Sequence, residues 1–376
     1  MSEWKKVKLG EITSIKTGKL DSNAAVSNGI YPFFTCDPST LSIDKWAYDT
    51  EAILLAGNNA SGNYTAKYYK GKFNAYQRTY IIETLNPQFA SVRFMAYAMN
   101  QQLQLLKVMS TGSTTKFLTM KMLTQLTINL PQIEIQHCIA NILSRYDSLI
   151  ENYQKQIKLL EEAARRLYKE WFIDLRFPGH ENTKIVDGVP EGWERKSIGD
   201  IGEYLNGFAF KPSDWQELGK PIIKIKEMGN GVTNDTPRNN GERVPAKYLI
   251  KAGDLLFSWS ATLMVIIWSG EDGWLNQHLF KVTPAKGINR EFLLQSISNT
   301  IVEFQNLTTG STMKHIQRNK LDQVFVNVPN AEIMKRYTDI SEKTRSNILS
   351  LQSQLRLLTE ARDRLLPKLM SGEITV

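Results

Sequence analysis

One short string occurs twice, and its residue types suit phosphate. Thr111, Gly112, Ser113 and Thr114 precede Lys116, and Thr309, Gly310, Ser311 and Thr312 precede Lys314. Glycine permits close backbone approach, hydroxyls and free N–H groups can hold an anion where a helix begins, and lysine adds charge. The same string can equally be a capped turn, with a hydroxyl accepting from helix N–H groups. Loops of amides, hydroxyls, aromatics and cations recur nearby: Asn58, Asn59, Ser61 and Tyr64; Tyr76, Gln77 and Arg78; Ser258, Trp259 and Ser260; Asn276, Gln277 and His278. Amide and guanidinium groups read base edges bidentately, and aromatic rings stack on bases. These are the candidate DNA-binding residues; a plain polar loop is the alternative for each.

Patterns for catalysis or metal binding do not emerge. The four histidines, His137, His180, His278 and His315, pair with no Cys or acid at ligand spacing. His137-Cys138 reads as helix packing. Asn86-Pro87-Gln88-Phe89 resembles an amino-methyltransferase loop but lacks its second proline, and reads as a strand-to-helix turn. Glu194-Arg195-Lys196 mimics a nuclease signature, yet its counterpart in the repeat is Lys5-Lys6-Val7. No catalytic residue, no metal ligand and no cofactor is therefore expected in this chain.

The elements that must position these loops come from a duplication. Trp4 to Ile12 matches Trp193 to Ile201 at an offset of 189, and Thr17-Gly18 matches Asn206-Gly207. Residues 110–131 align without gaps to 308–329 at an offset of 198, with nine of 22 positions identical. Between those anchors the matches are soft: Ile53-Leu54-Leu55 with Leu255-Leu256-Phe257, and Gln77 with Gln277.

After each globular copy comes a long apolar repeat with alternating spacings of four and three, a heptad seam. The first uses Ile139, Leu143, Tyr146, Ile150, Tyr153, Ile157, Leu160, Ala164, Leu167 and Trp171. The second uses Tyr337, Ile340, Thr344, Ile348, Leu351, Leu355, Leu358, Leu365 and Leu369, with Arg362 where the first has Ala164. Each helix is the other's natural apolar partner, and antiparallel pairing is expected. Pro367 should disturb the last turn. The expected fold is α+β. The domains are 1–131, a helix at 132–176, a linker at 177–192, a second domain at 193–330 and a helix at 331–376.

Composition narrows the class. The 376 residues exceed one ordinary core, and 42% hydrophobic with 22% charged residues is globular. Of the net charge of +8, residues 1–131 hold +6, from 14 basic and 8 acidic residues. Two cysteines, no apolar run of membrane length and no signal-like N-terminus lead to a cytoplasmic expectation.

The full pattern resembles the specificity subunit of type I restriction–modification systems. Each unit opens with a Trp…Gly-Glu/Asp-Ile string and closes with Thr-Gly-Ser-Thr-x-Lys…Pro, and the last helix ends Leu366-Pro367-Lys368-Leu369-Met370-Ser371-Gly372-Glu373-Ile374. The resemblance implies two target recognition domains on double-stranded DNA, one per half-site, and a paired-helix coiled coil that sets the spacer. It implies methyltransferase (modification) subunits and restriction/translocase subunits as partners. S-adenosylmethionine and ATP with Mg would belong to those partners.

Overall fold

The computed structural model describes residues 4–59, 64–109, 116–307 and 318–376. The chain divides into two compact units, Met1–Leu149 with Leu358–Val376, and Ile150–Leu357. Each unit contains one globular domain and a stretch of both long helices.

In the first unit a six-stranded sheet runs in the order Thr13–Thr17, Thr79–Thr84, Tyr48–Ala56, Ala66–Ala75, Tyr31–Phe34, Leu41–Ile43. All neighbours are antiparallel except Tyr31–Phe34 against Ala66–Ala75. Helix Val92–Met109 covers the sheet, burying Phe94, Met95 and Met99 with Ile53, Leu55 and Ile82. In the second unit the corresponding strands split into two four-stranded sheets. One runs Gly202–Asn206, Leu279–Pro284, Leu255–Ser258, Met264–Ile267; the other Arg238–Asn239, Lys220–Ile223, Gly273–Leu275, Leu249–Ile250. Helix Arg290–Leu307 packs Phe292, Leu293 and Ile297 into that core.

Strand register reproduces the repeat. Lys5 pairs with Leu130 as Glu194 pairs with Val328, which are the two offsets of 189 and 198 on one ladder. Phe33 pairs with Asn74, in parallel, as Ile222 does with Trp274. Ile53 faces Ile82 as Leu255 faces Val282, so the soft sequence matches occupy equivalent places. Glu194 and Lys196 lie on such a strand, and their exposed side chains pair at 2.7 Å.

Helix starts are capped in the same places. Ser91 Oγ accepts from Phe94 N, and at the duplicated position Asn289 Oδ1 accepts from Glu291 N and Phe292 N. Asn330 Oδ1 accepts from Ile333 N at the start of the C-terminal helix. Asn86 bonds forward to Gln88, Phe89 and Ala90, forming the turn before helix Val92–Met109.

The long helices are Ile133–Tyr168, followed by a π-turn at Lys169–Ile173, and Ala331–Ser371. They pair antiparallel within each unit. In the second unit Phe172 and Trp171 meet Tyr337 at ring distances of 4.9 and 6.0 Å, while the earlier Glu161 lies by the later Arg345. In the first, Ile139 and Leu143 share a core with Leu369 and Met370, and Asp147 bonds Arg362 at 3.0 Å. Ile150, Ile157, Ala164 and Ile348 are buried; Tyr153, Leu160, Leu167, Leu351, Leu355, Leu358 and Leu365 are half-buried.

Two expectations change, those for Ile340 and for His137-Cys138, and two gain detail. Pro367 does not end its helix, which continues to Ser371, because Leu369 and Met370 are buried in the first unit's core. Ile340 is 45% exposed and Ser341 takes its inward place, bonding Asn289 and Thr338. His137 and Cys138 do not pack; they lie on the exposed face, while Gln136 turns inward. Its amide accepts from Ser91 N and donates to the Phe89 and Pro131 carbonyls, so its burial is fully compensated. Segment 177–192, expected as a linker, contains the hairpin Ile185–Val186 with Val189–Pro190 and sends Phe177 into the core against Trp193.

Candidate nucleic-acid interface

One turn gathers the strongest candidates in each unit. In the first, Tyr76 N donates to Phe34 O, Gln77 N to Leu20 O, Thr79 N to Tyr76 O, and Gly18 N to Thr79 O, at 2.8–3.1 Å. In the second, Asn276 N donates to Ile223 O, Gln277 N to Phe208 O, Leu279 N to Asn276 O, and Gly207 N to Leu279 O, at 2.9–3.1 Å. These are the same four backbone bonds. They demand glycine opposite the turn: a Cβ on Gly18 would lie 2.1 Å from Ala75 O, and one on Gly207 would lie 2.1 Å from Asn276 O. The scaffold therefore holds the residues of this turn on preorganised backbone.

Several segments converge on the first turn. Gln77 Nε2 donates to Asp21 Oδ1 at 2.7 Å. Gly57 N bonds the Arg78 carbonyl, and Cys36 Sγ approaches both that carbonyl and Asn58 Oδ1. Asn58–Asn59 pairs with Lys116–Phe117, which brings the strand after the repeated loop to the same edge. Lys67 Nζ donates to Pro38 O, and partial burial lowers its pKa while Asp37 opposes that shift. Gln77 and Arg78 are exposed, and Tyr76 is half-exposed.

The second edge is more aromatic. Trp259 lies 5.8 Å from the His278 ring and donates through Nε1 to Asn206 Oδ1 at 3.2 Å. Gln277 contacts His278 at 3.4 Å. Trp259, Gln277 and His278 are all half-exposed.

Four candidates prove to be interior residues. Tyr64 is 7% exposed and belongs to the apolar core. Ser258 is fully buried, donating to Thr262 O and accepting from Met264 N. Ser260 and Asn276 are each 4% exposed, and Asn276 Oδ1 accepts from His278 N. A polar loop string cannot distinguish a side chain that braces the loop from one that faces out. Ser61, Thr111, Gly112, Ser113, Thr114, Thr309, Gly310, Ser311, Thr312 and Lys314 lie outside the described residues, and only the backbone of Lys116 is described. Sequence reading missed Asp21, Cys36, Lys67 and Asn206. Side-chain bonds to segments distant in sequence bring them to the edge, and no local signal marks them.

In each unit a charged residue of a long helix, Asp147 or Arg345, bonds the helix that covers the sheet. In the first unit Asp147 accepts from Tyr97 at 2.5 Å and from Arg362. Burial, then the Asp147 carboxylate, pushes the Tyr97 hydroxyl far up. In the second, Arg345 holds the buried Glu291 through Nε at 2.8 Å and Nη2 at 3.1 Å. Asp147 and Arg345 stand 198 residues apart, so the sign of the charge is reversed between the copies. Among the described residues, no group of three or more His, Cys, Asp or Glu could hold a metal. No helix there is long and apolar enough to cross a membrane.

The comparisons with known proteins agree with this duplication. The family model described as type I restriction modification DNA specificity domain matches twice, at residues 1–162 and 190–355. The chain is similar to the type I restriction enzyme EcoDI specificity subunit of Escherichia coli, at 27% identity over 99% of this chain and 89% of that protein. It is also similar to the HindI specificity subunit of Haemophilus influenzae, at 24% identity over the full length of both. A crystal structure of the type I restriction–modification S subunit from M. genitalium superposes with a TM-score of 0.64 at 18% identity, covering 97% of this chain and 96% of that one.

Proposed function

The chain belongs to the type I restriction–modification DNA specificity family, and from that premise we propose that it reads a two-part target on double-stranded DNA. Each recognition domain takes one half-site, and the paired long helices set the spacer between them. The chain itself carries no catalytic step and works in the cytoplasm. It directs methyltransferase subunits, which bind S-adenosylmethionine, and restriction/translocase subunits, which bind ATP and Mg. The observation that supports this reading best is the copied turn. An identical four-bond backbone carries Tyr76-Gln77-Arg78 in one unit and Asn276-Gln277-His278 in the other. One scaffold with different side chains is what two half-sites of different sequence require.

The test is exchange. Replacing residues 1–131 with those of a relative, in the chain assembled with its methyltransferase partners, should change one half-site of the methylated target and leave the other intact. A change in both, or in neither, would refute one domain per half-site. Methylation of DNA by the chain alone with S-adenosylmethionine would instead make it an enzyme.

A further inference from the structure

The copied turn differs at two of its three positions: Tyr76 stands where the second unit has the interior Asn276, and Arg78 where it has His278. Its backbone bonds coincide, its glutamine is the same, and the residue after the glutamine is Arg78 in one unit and His278 in the other. The two side chains sit in different surroundings. Arg78 is exposed, and its guanidinium has no ion-pair or hydrogen-bond partner among the described residues, although its carbonyl is held by Gly57 N at 2.7 Å. A fixed backbone with a free planar fork suits bidentate recognition. His278 is half-exposed, held 5.8 Å from Trp259 and in contact with Gln277. An imidazole has no such fork and cannot clamp two acceptors of one base in the same way.

The surroundings of Arg78 also separate base from phosphate. Asp21 bonds Gln77 at 2.7 Å, and Asp37 follows Cys36, whose Sγ lies against the Arg78 carbonyl. Both carboxylates are exposed. The Asp21 carboxylate beside Gln77 disfavours a phosphate there, whereas a carboxylate at a base edge can accept from an exocyclic amine; the Asp37 charge is met by Lys67.

Resting on the reading of the chain as a DNA specificity subunit, we infer that Arg78 reads a guanine through its O6 and N7 in the first domain's half-site. His278 occupies the same place in the second domain and does not, so the bipartite target is asymmetric at this symmetric position.

The experiment selects duplexes from a library randomised in both half-sites, using the full chain with its methyltransferase partners. It compares wild type with Arg78→His, Arg78→Lys and His278→Arg. The expected result is a guanine in one half-site that wild type prefers, that Arg78→His loses with discrimination falling about tenfold or more, and that Arg78→Lys, without the planar fork, retains only in weakened form. Arg78→Lys should keep the salt dependence of binding, since the charge remains. His278→Arg should add a guanine preference at the symmetric position. If Arg78→His weakens binding to all sequences alike and reduces the salt slope by about one unit, Arg78 is a phosphate contact and the inference fails. Unchanged selection by both Arg78 variants would also overturn it. A wild type that selects no consensus would overturn the functional reading itself, which is a different result from a consensus that Arg78 does not influence.

Discussion

At the scale of single residues, space and charge decide the roles. Gly18 and Gly207 are required because a carbonyl oxygen occupies the place of a side chain, 2.1 Å from where a Cβ would stand. Gly18→Ala should cost about 1–3 kcal/mol or more. A thermal melt followed by hydrogen exchange should show the loss in strands of the first unit; equal protection in both proteins would argue against the close approach. Arg345 makes a different kind of contribution. Its partner Glu291 has a side chain only 3% exposed, so Arg345→Ala leaves a buried carboxylate unpaired, at about 3–5 kcal/mol. The double variant Glu291→Gln with Arg345→Met should recover most of that loss in chemical denaturation. If the double variant is as unstable as the single one, the ion pair is not the cause.

At the scale of elements, the long helices were the most legible part of the sequence and the sheets the least. A seam at spacings of three and four is a local pattern, and Ile150, Ile157 and Ile348 are buried as it requires. Pro367 and Ile340 show where pattern reading stops. A proline is tolerated when buried neighbours such as Leu369 and Met370 hold the helix together. A polar Ser341 can face inward when Asn289 is placed to meet it. Strand Ala66–Ala75, with its lysines and tyrosines, lies at the centre of the six-stranded sheet yet offers little alternation to a reader of sequence. If the helix pair is the ruler, a matched four-residue insertion in residues 145–165 and in the facing part of the C-terminal helix lengthens it by about 6 Å. The preferred spacer should then grow by about two base pairs at roughly 3.4 Å per step, with both half-sites unchanged in a footprint or methylation assay. A changed half-site sequence with an unchanged spacer would contradict the ruler.

At the scale of the whole molecule, charge is unevenly distributed. Residues 1–131 carry a net +6, whereas 177–330 hold 17 basic and 17 acidic residues. Duplexes carrying only the first domain's half-site should lose affinity more steeply with salt than duplexes carrying only the second, because each neutralised phosphate adds about −0.9 to the log–log slope. Equal slopes would mean that local patches or partner subunits, and not domain charge, provide the grip. The sequence by itself determined the duplication, the two helices and the family resemblance. Identical strings at offsets of 189 and 198 and a repeating apolar spacing are properties of the linear chain. Only the tertiary structure decided which polar residues face outward. Tyr64, Ser258, Ser260 and Asn276 lie inside, while Gln77, Arg78, Gln277 and His278 stand on turns in which three of the four backbone bonds join segments distant in sequence. The physical reason is that a polar loop residue looks the same in sequence whether its partner is backbone, water or a base. Long-range strand pairing determines which of these it meets.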